Sequence, residues 1–235
     1  MPEELAEVQT RPEAVAPWPH TLFIVVVLAL WAAYGLMRLY LPAAATPRMR
    51  AYTSTIIVQY LLVGSTIAGL YHRREFLSGV LGGFRARGVA GDIGRGFAVF
   101  LGGLAVLLVL GLIVRPFHPP DHRAVLQALR PHTRAELALW LVVSLSAGVC
   151  EEFVFRGYLL RQLNRWSGSV VVGVVVSTLL FGCMHLYEGS GAVVQITGLG
   201  AWYAIVAVRR GNLRSVMVAH FLHDAFTGLA LYLHK

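Results

Sequence analysis

Four formally charged side chains, Glu151, Glu152, Arg156 and Asp224, stand inside stretches that are otherwise apolar, together with His185, His220 and His223. A carboxylate or guanidinium at bilayer depth costs roughly 2.5–3.5 kcal/mol on insertion scales. Unpaired, the four would cost about 10 kcal/mol, comparable with the net stability of a whole domain. They must pair, meet water, or both. Function is the usual reason for ionisable residues at that depth.

Spacing indicates how they meet. Glu152 and Arg156 are four apart, so they lie on one helix face and can neutralise each other. Glu151 is turned about 100° from Glu152, which leaves one glutamate structurally occupied and one free to act. His220 and Asp224 share a face by the same spacing, as do Phe181 and His185. Three helices thus each offer a polar face. A free carboxylate in a low-dielectric cavity becomes a competent general base near neutral pH. A neighbouring imidazole can share the proton of an attacking water, and a further imidazole with a hydrogen-bonding side chain can steady an oxyanion. That set suffices to hydrolyse an amide inside a membrane. The bland readings stand beside it. Glu152 and Arg156 could be a structural ion pair alone, and His185, near the end of its span, could be interfacial. Its depth matches Glu151 only if its helix ends inside a cavity. His223 has no partner at helical spacing and reads as interfacial.

The elements that must position these residues are membrane helices. The chain has 235 residues, 57% hydrophobic and 14% charged, with mean hydropathy +0.64. A soluble domain carries roughly 25% charged residues, so the chain reads as an integral membrane protein. A span needs about 20 apolar residues. Leu22–Leu41, Ala51–Tyr71, Phe97–Val114, a run from about Leu137 through the glutamates to Leu163, Ser167–Leu186, Gly191–Val208 and Leu213–Leu233 meet or approach that length. Long unbroken runs exclude a β-barrel. The expected fold is all-α: a polytopic bundle of about seven to eight membrane helices in one domain, 21–235, after a short solvated tail, 1–20. Residues 137–230 form its chemical core.

The formal charge of +8 and pI near 10.0 come from basic residues placed between apolar runs. Topology and anionic headgroups explain such a pattern, and no nucleic-acid module is visible. Arg73, Arg74, Arg85 and Arg87 argue that the loop after the second span is cytoplasmic, which puts "LLRQLNRW", "VRRGNLR" and the N-terminus on the same side. Arg38 is placed to snorkel. The connector with Arg115, Arg123, Arg130 and Arg134 then faces outward. The N-terminal stretch is acidic and lacks a signal peptide's basic start. Cys150 and Cys183 read as small buried hydrophobes rather than a disulfide. The glycines of "GSGAVVQITGLGAW" read as packing positions.

Three motifs, in order and each in an apolar run, carry a resemblance. "EEFVFR" fits E-E-x-x-x-R, "FGCMH" fits F-x-x-x-H and "HFLHD" fits H-x-x-x-(N/D). Over about residues 137–230 the chain resembles the CPBP intramembrane proteases. That family, also called ABI, contains the type II CAAX prenyl endopeptidases and proteins linked to bacteriocin processing and immunity. The resemblance implies an intramembrane endopeptidase, in which Glu151 activates water and His185 assists. Glu152 and Arg156 would support that helix, and His220 and Asp224 would stabilise the oxyanion. Asp224 stands where the family often has Asn, and an ionised Asp accepts but cannot donate a hydrogen bond. It is then either protonated or an orienting partner of His220. No H-E-x-x-H is present. If a zinc is bound, Glu151, His185 and His220 would be its ligands, a legitimate catalytic set; the same residues suit a metal-free glutamate mechanism, and no other cofactor is implied. The expected partners are a protein or peptide substrate at the membrane and the lipid bilayer, with no nucleic acid. The expected location is a bacterial or archaeal cell membrane. A catalytically silent relative acting as an immunity or scaffold protein is the alternative, and a proton-coupled transporter is the weaker third.

Overall fold

The computed structural model describes residues 14–39, 47–75, 77–82, 88–116 and 128–234. The side chain of Arg38 and residues Arg85, Arg87 and Arg123 lie outside what is described, as does most of the expected N-terminal tail. Among the described residues the chain is all helix: α1 (Trp18–Leu39), α2 (Arg48–His72), the short α3 (Leu77–Leu81), α4 (Val89–Val114), α5 (Arg134–Ser167), α6 (Val170–Cys183), α7 (Ser190–Arg210) and α8 (Arg214–Leu233). Six of these are long and apolar enough to cross a membrane, and α6 is a shorter apolar helix. A helix stands at each of the seven expected segments, but at the fifth, expected over Ser167–Leu186, it is the 14-residue α6 and not a full span. The chain is an integral, multi-pass membrane protein.

Local sequence sets the boundaries. Helix α5 begins with a capping box: the Glu136 amide donates to Thr133 Oγ1 at 3.1 Å, and the Thr133 amide donates back to Glu136 Oε2 at 3.0 Å. It ends at Gly168, whose φ of 69° is left-handed backbone that glycine adopts without strain. Between these ends α5 is not the regular helix that 3.6-residue spacing assumes. It is α-helical to Glu152 and then makes a π-helical segment, Phe153–Leu159, in which every residue is buried. Single π-turns of this kind gather at functional sites. The two glutamates are the last α-helical residues before it.

Helix α8 packs against α4 and α5, α5 also against α2, and α7 against α4 and α6. One close approach is at Gly148 of α5, where a Cβ would stand 2.7 Å from the Met217 carbonyl oxygen and 2.9 Å from the Phe221 amide nitrogen of α8. Small residues let membrane helices approach backbone to backbone in this way. At one end of the bundle, Arg161 and Arg165 lie 3.9 and 3.5 Å from Glu75, and Gly82 abuts Gly211 and Asn212. Asp92 pairs there with Arg214 and, at 3.4 Å, with Arg95. The ends of α2, α5 and α7 therefore share a face, as the arginine pattern requires. At the other end Tyr52 donates to the Leu129 carbonyl, and Arg130 Nη1 donates to the His234 carbonyl at 3.2 Å.

Two expectations need correction. Val15 and Ala16 are buried rather than solvated, because the Ala16 amide donates to Gln162 Oε1 at 3.2 Å and its carbonyl accepts from Gln162 Nε2 at 2.8 Å. Cys150 is buried as expected, whereas Cys183 is exposed at the end of α6.

Candidate active site

The centre of the site is built on α5. Glu152, 0% exposed, accepts from Arg156 Nη1 at 2.9 Å and from His220 Nδ1 at 2.8 Å. Arg156 also donates from Nη2 to the Gly200 carbonyl at 2.8 Å, and its guanidinium lies 4.3 Å over the Phe181 ring. A Cβ at Gly200 would come within 2.9 Å of both Arg156 Nη2 and the Phe181 ring, so glycine is what lets α7 reach this cation. Helices α5, α7 and α8 thus converge on one buried carboxylate.

Glu151 faces a different set of groups. Its side chain keeps 24% of its surface. Oε1 accepts from Gln59 Nε2 at 3.0 Å, while Oε2 stands 3.9 Å from His220 Nε2. Asp224, whose side chain is 38% exposed, presents Oδ2 3.7 Å from the same nitrogen. Both separations exceed a direct hydrogen bond and suit a bridging water or a substrate oxygen. His220 is therefore held at one ring nitrogen and turns the other toward two part-exposed carboxylates. Because Glu152 accepts, Nδ1 must carry a proton.

His185 lies just past the end of α6. That helix has 14 residues, about 21 Å at 1.5 Å per residue, too short to cross a core of about 30 Å. The chain therefore turns inside the bundle, and the depth of His185 no longer conflicts with that of Glu151. Its Nδ1 donates to the Phe181 carbonyl at 3.0 Å, which leaves Nε2 as an acceptor. Phe181 is the hub: its ring centroid lies 5.1 Å from His185 and 5.9 Å from His220, with Arg156 over its face. His185 interacts electrostatically with Asp224 but makes no hydrogen bond or ion pair with Glu151.

The site thus assembles Glu151, Glu152, Arg156, His220 and Asp224 in one contact network and places His185 beside it. Of the three residues expected to hold a zinc, Glu151 and His220 face each other at 3.9 Å, and His185 stands beside them with its Nδ1 on the Phe181 carbonyl. Among the described residues no three His, Cys, Asp or Glu side chains form a metal-binding group.

Three site residues escape a reading of spacing alone. Gln59 is the one long polar side chain in the uncharged part of α2, a signal that could have flagged it. His223 is not interfacial: it is buried, its Nδ1 lies 2.7 Å from Tyr203 Oη, and its ring meets Phe100 at 4.6 Å. Tyr203, fully buried, stacks on His220 at 5.6 Å between ring centroids.

Comparison with curated proteins and with solved structures finds no match to this chain. Residues 133–226, which carry both glutamates, Arg156, His185, His220 and Asp224, match the family model described as type II CAAX prenyl endopeptidase Rce1-like. That segment is similar to the CPBP/CAAX protease family.

Proposed function

We propose that this protein hydrolyses a peptide bond of a membrane-associated protein or peptide with a water activated by Glu151. The observation that carries the reading is the contrast between the two glutamates. Glu152 is closed off by Arg156 and His220 in direct hydrogen bonds, whereas Glu151 Oε2 stands 3.9 Å from His220 Nε2, beyond hydrogen-bond reach.

Glu151 Oε2 takes a proton from water, and the hydroxide oxygen attacks the scissile carbonyl carbon. His220, protonated at both nitrogens among Glu151, Glu152 and Asp224, donates from Nε2 to the oxyanion. With Arg156 and His220 cationic, three ionised carboxylates leave the cluster one charge negative; one proton on Asp224 balances it and makes Asp224 a second donor. Collapse of the intermediate breaks the C–N bond, and the proton on Glu151 passes to the leaving nitrogen. His185 Nε2 accepts from the water and holds it in line. The products are a new carboxylate and a new amine.

The test is cleavage of a quenched fluorescent peptide library by the purified protein in detergent. Glu151→Gln lowers the rate by at least about 10²-fold, and a chelator leaves it unchanged. Cleavage that survives Glu151→Gln removes the proposed base. Loss with chelator, restored by zinc, overturns the metal-free mechanism.

A further inference from the structure

Gln59 comes from a helix outside the family match and touches Glu151 directly. It is 7% exposed, and both ends of its amide are engaged. Nε2 donates to Glu151 Oε1 at 3.0 Å, and Oε1 accepts from Ser146 Oγ at 2.6 Å. A carboxylate only accepts, so the NH₂ end must face Glu151 and the hydroxyl of Ser146 must supply the opposite bond. The amide therefore has one orientation. Ser146 lies on α5 as Glu151 does, so α5 holds both ends of the Gln59 amide.

The contrast with Glu152 gives this bond its meaning. Glu152 is held by a guanidinium and an imidazole, which neutralise it. The amide of Gln59 is neutral, so it fixes the direction of Glu151 without removing its negative charge. With Oε1 occupied, Oε2 is the oxygen left to face His220 Nε2 and Asp224.

Resting on the protease reading, we propose that Gln59 is a positioning residue for the general base, presenting Oε2 of Glu151 to the attacking water, and that Ser146 acts only through it. Gln59→Met keeps side-chain length and volume while removing both hydrogen bonds. It lowers kcat by about tenfold, the value of one hydrogen bond to a charged group, with KM within about twofold. Ser146→Ala frees the amide to rotate and lowers kcat by about threefold, yet costs nothing further in the Gln59→Met background.

A second readout needs no turnover. Dicyclohexylcarbodiimide modifies membrane-embedded carboxyls, and peptide mass spectrometry resolves the product at Glu151 from that at Asp224. Freed from its amide, Glu151 in Gln59→Met labels about tenfold faster than in the wild type, while Asp224 labels at an unchanged rate. Equal labelling of Glu151 in both proteins overturns the inference, as does a Ser146→Ala loss that adds in full to that of Gln59→Met. Cleavage that survives Glu151→Gln alongside faster labelling in Gln59→Met refutes the protease mechanism and leaves the positioning contact intact.

Discussion

Replacing Arg156 by leucine tests the electrostatic centre of this fold. Arg156 and Glu152 are both essentially sealed from solvent, and their ion pair is 2.9 Å long. Removing one member of such a pair leaves an uncompensated charge and costs about 3–5 kcal/mol. The variant also loses the 2.8 Å bond to Gly200 and the stacking on Phe181, so the upper half of that range is expected. At about 2–4 °C per kcal/mol for a chain of this size, Tm falls by roughly 8–20 °C. The assay is thermal unfolding in one detergent, with Glu152→Leu/Arg156→Leu as comparison. Replacing both charges with apolar groups removes the stranded carboxylate and leaves only the His220 Nδ1 proton without an acceptor, a cost of about 1–3 kcal/mol. The double variant should therefore be more stable than the single. A single variant that loses under about 1 kcal/mol, or a double variant that is less stable still, would refute the reasoning.

Three further outcomes follow from the packing. Tyr203→Phe removes the hydroxyl facing His223 but keeps the ring under His220, so it costs about 1 kcal/mol and leaves the cleavage rate nearly unchanged. Tyr203→Ala removes that ring, costs about 3–5 kcal/mol and abolishes cleavage; the pair is read by thermal unfolding and peptide turnover. Gly148→Ala drives a methyl into the α8 backbone at Met217 and Phe221, costing about 1–3 kcal/mol and shifting His220 away from Glu151, so kcat falls while the protein still folds. With Cys183 replaced by serine, Arg74→Cys reacts with an impermeant maleimide from the cytoplasmic side and His132→Cys from the opposite side.

Contacts made within one helix were legible in the sequence. Glu152 with Arg156, and His220 with Asp224, follow from four-residue spacing, which holds wherever the backbone is helical. The pairing of Glu152 with Arg156 survives even though Arg156 lies in the π-helical segment. Contacts between helices were not legible. Nothing in α2 says that Gln59 rather than Gln195 meets a glutamate, because the rotation of each helix is set by packing. His223 misled for the same reason. It has no side-chain partner at helical spacing, so spacing reads it as interfacial, and its side-chain partners Tyr203 and Phe100 come from α7 and α4. The early end of α6 was also hidden, since the apolar run continues past Cys183 while the helix does not.

The most direct test of the central claim compares Glu151→Gln with Glu152→Gln in the same two assays, thermal unfolding and peptide cleavage. Division of labour between the two glutamates predicts that Glu151→Gln unfolds within a few degrees of the wild type and does not cleave. Glu152→Gln should unfold at clearly lower temperature, because Arg156 then lies buried without its carboxylate, at a cost of about 3–5 kcal/mol. A Glu151→Gln protein that still cleaves, or a Glu152→Gln protein as stable as the wild type, would contradict the account.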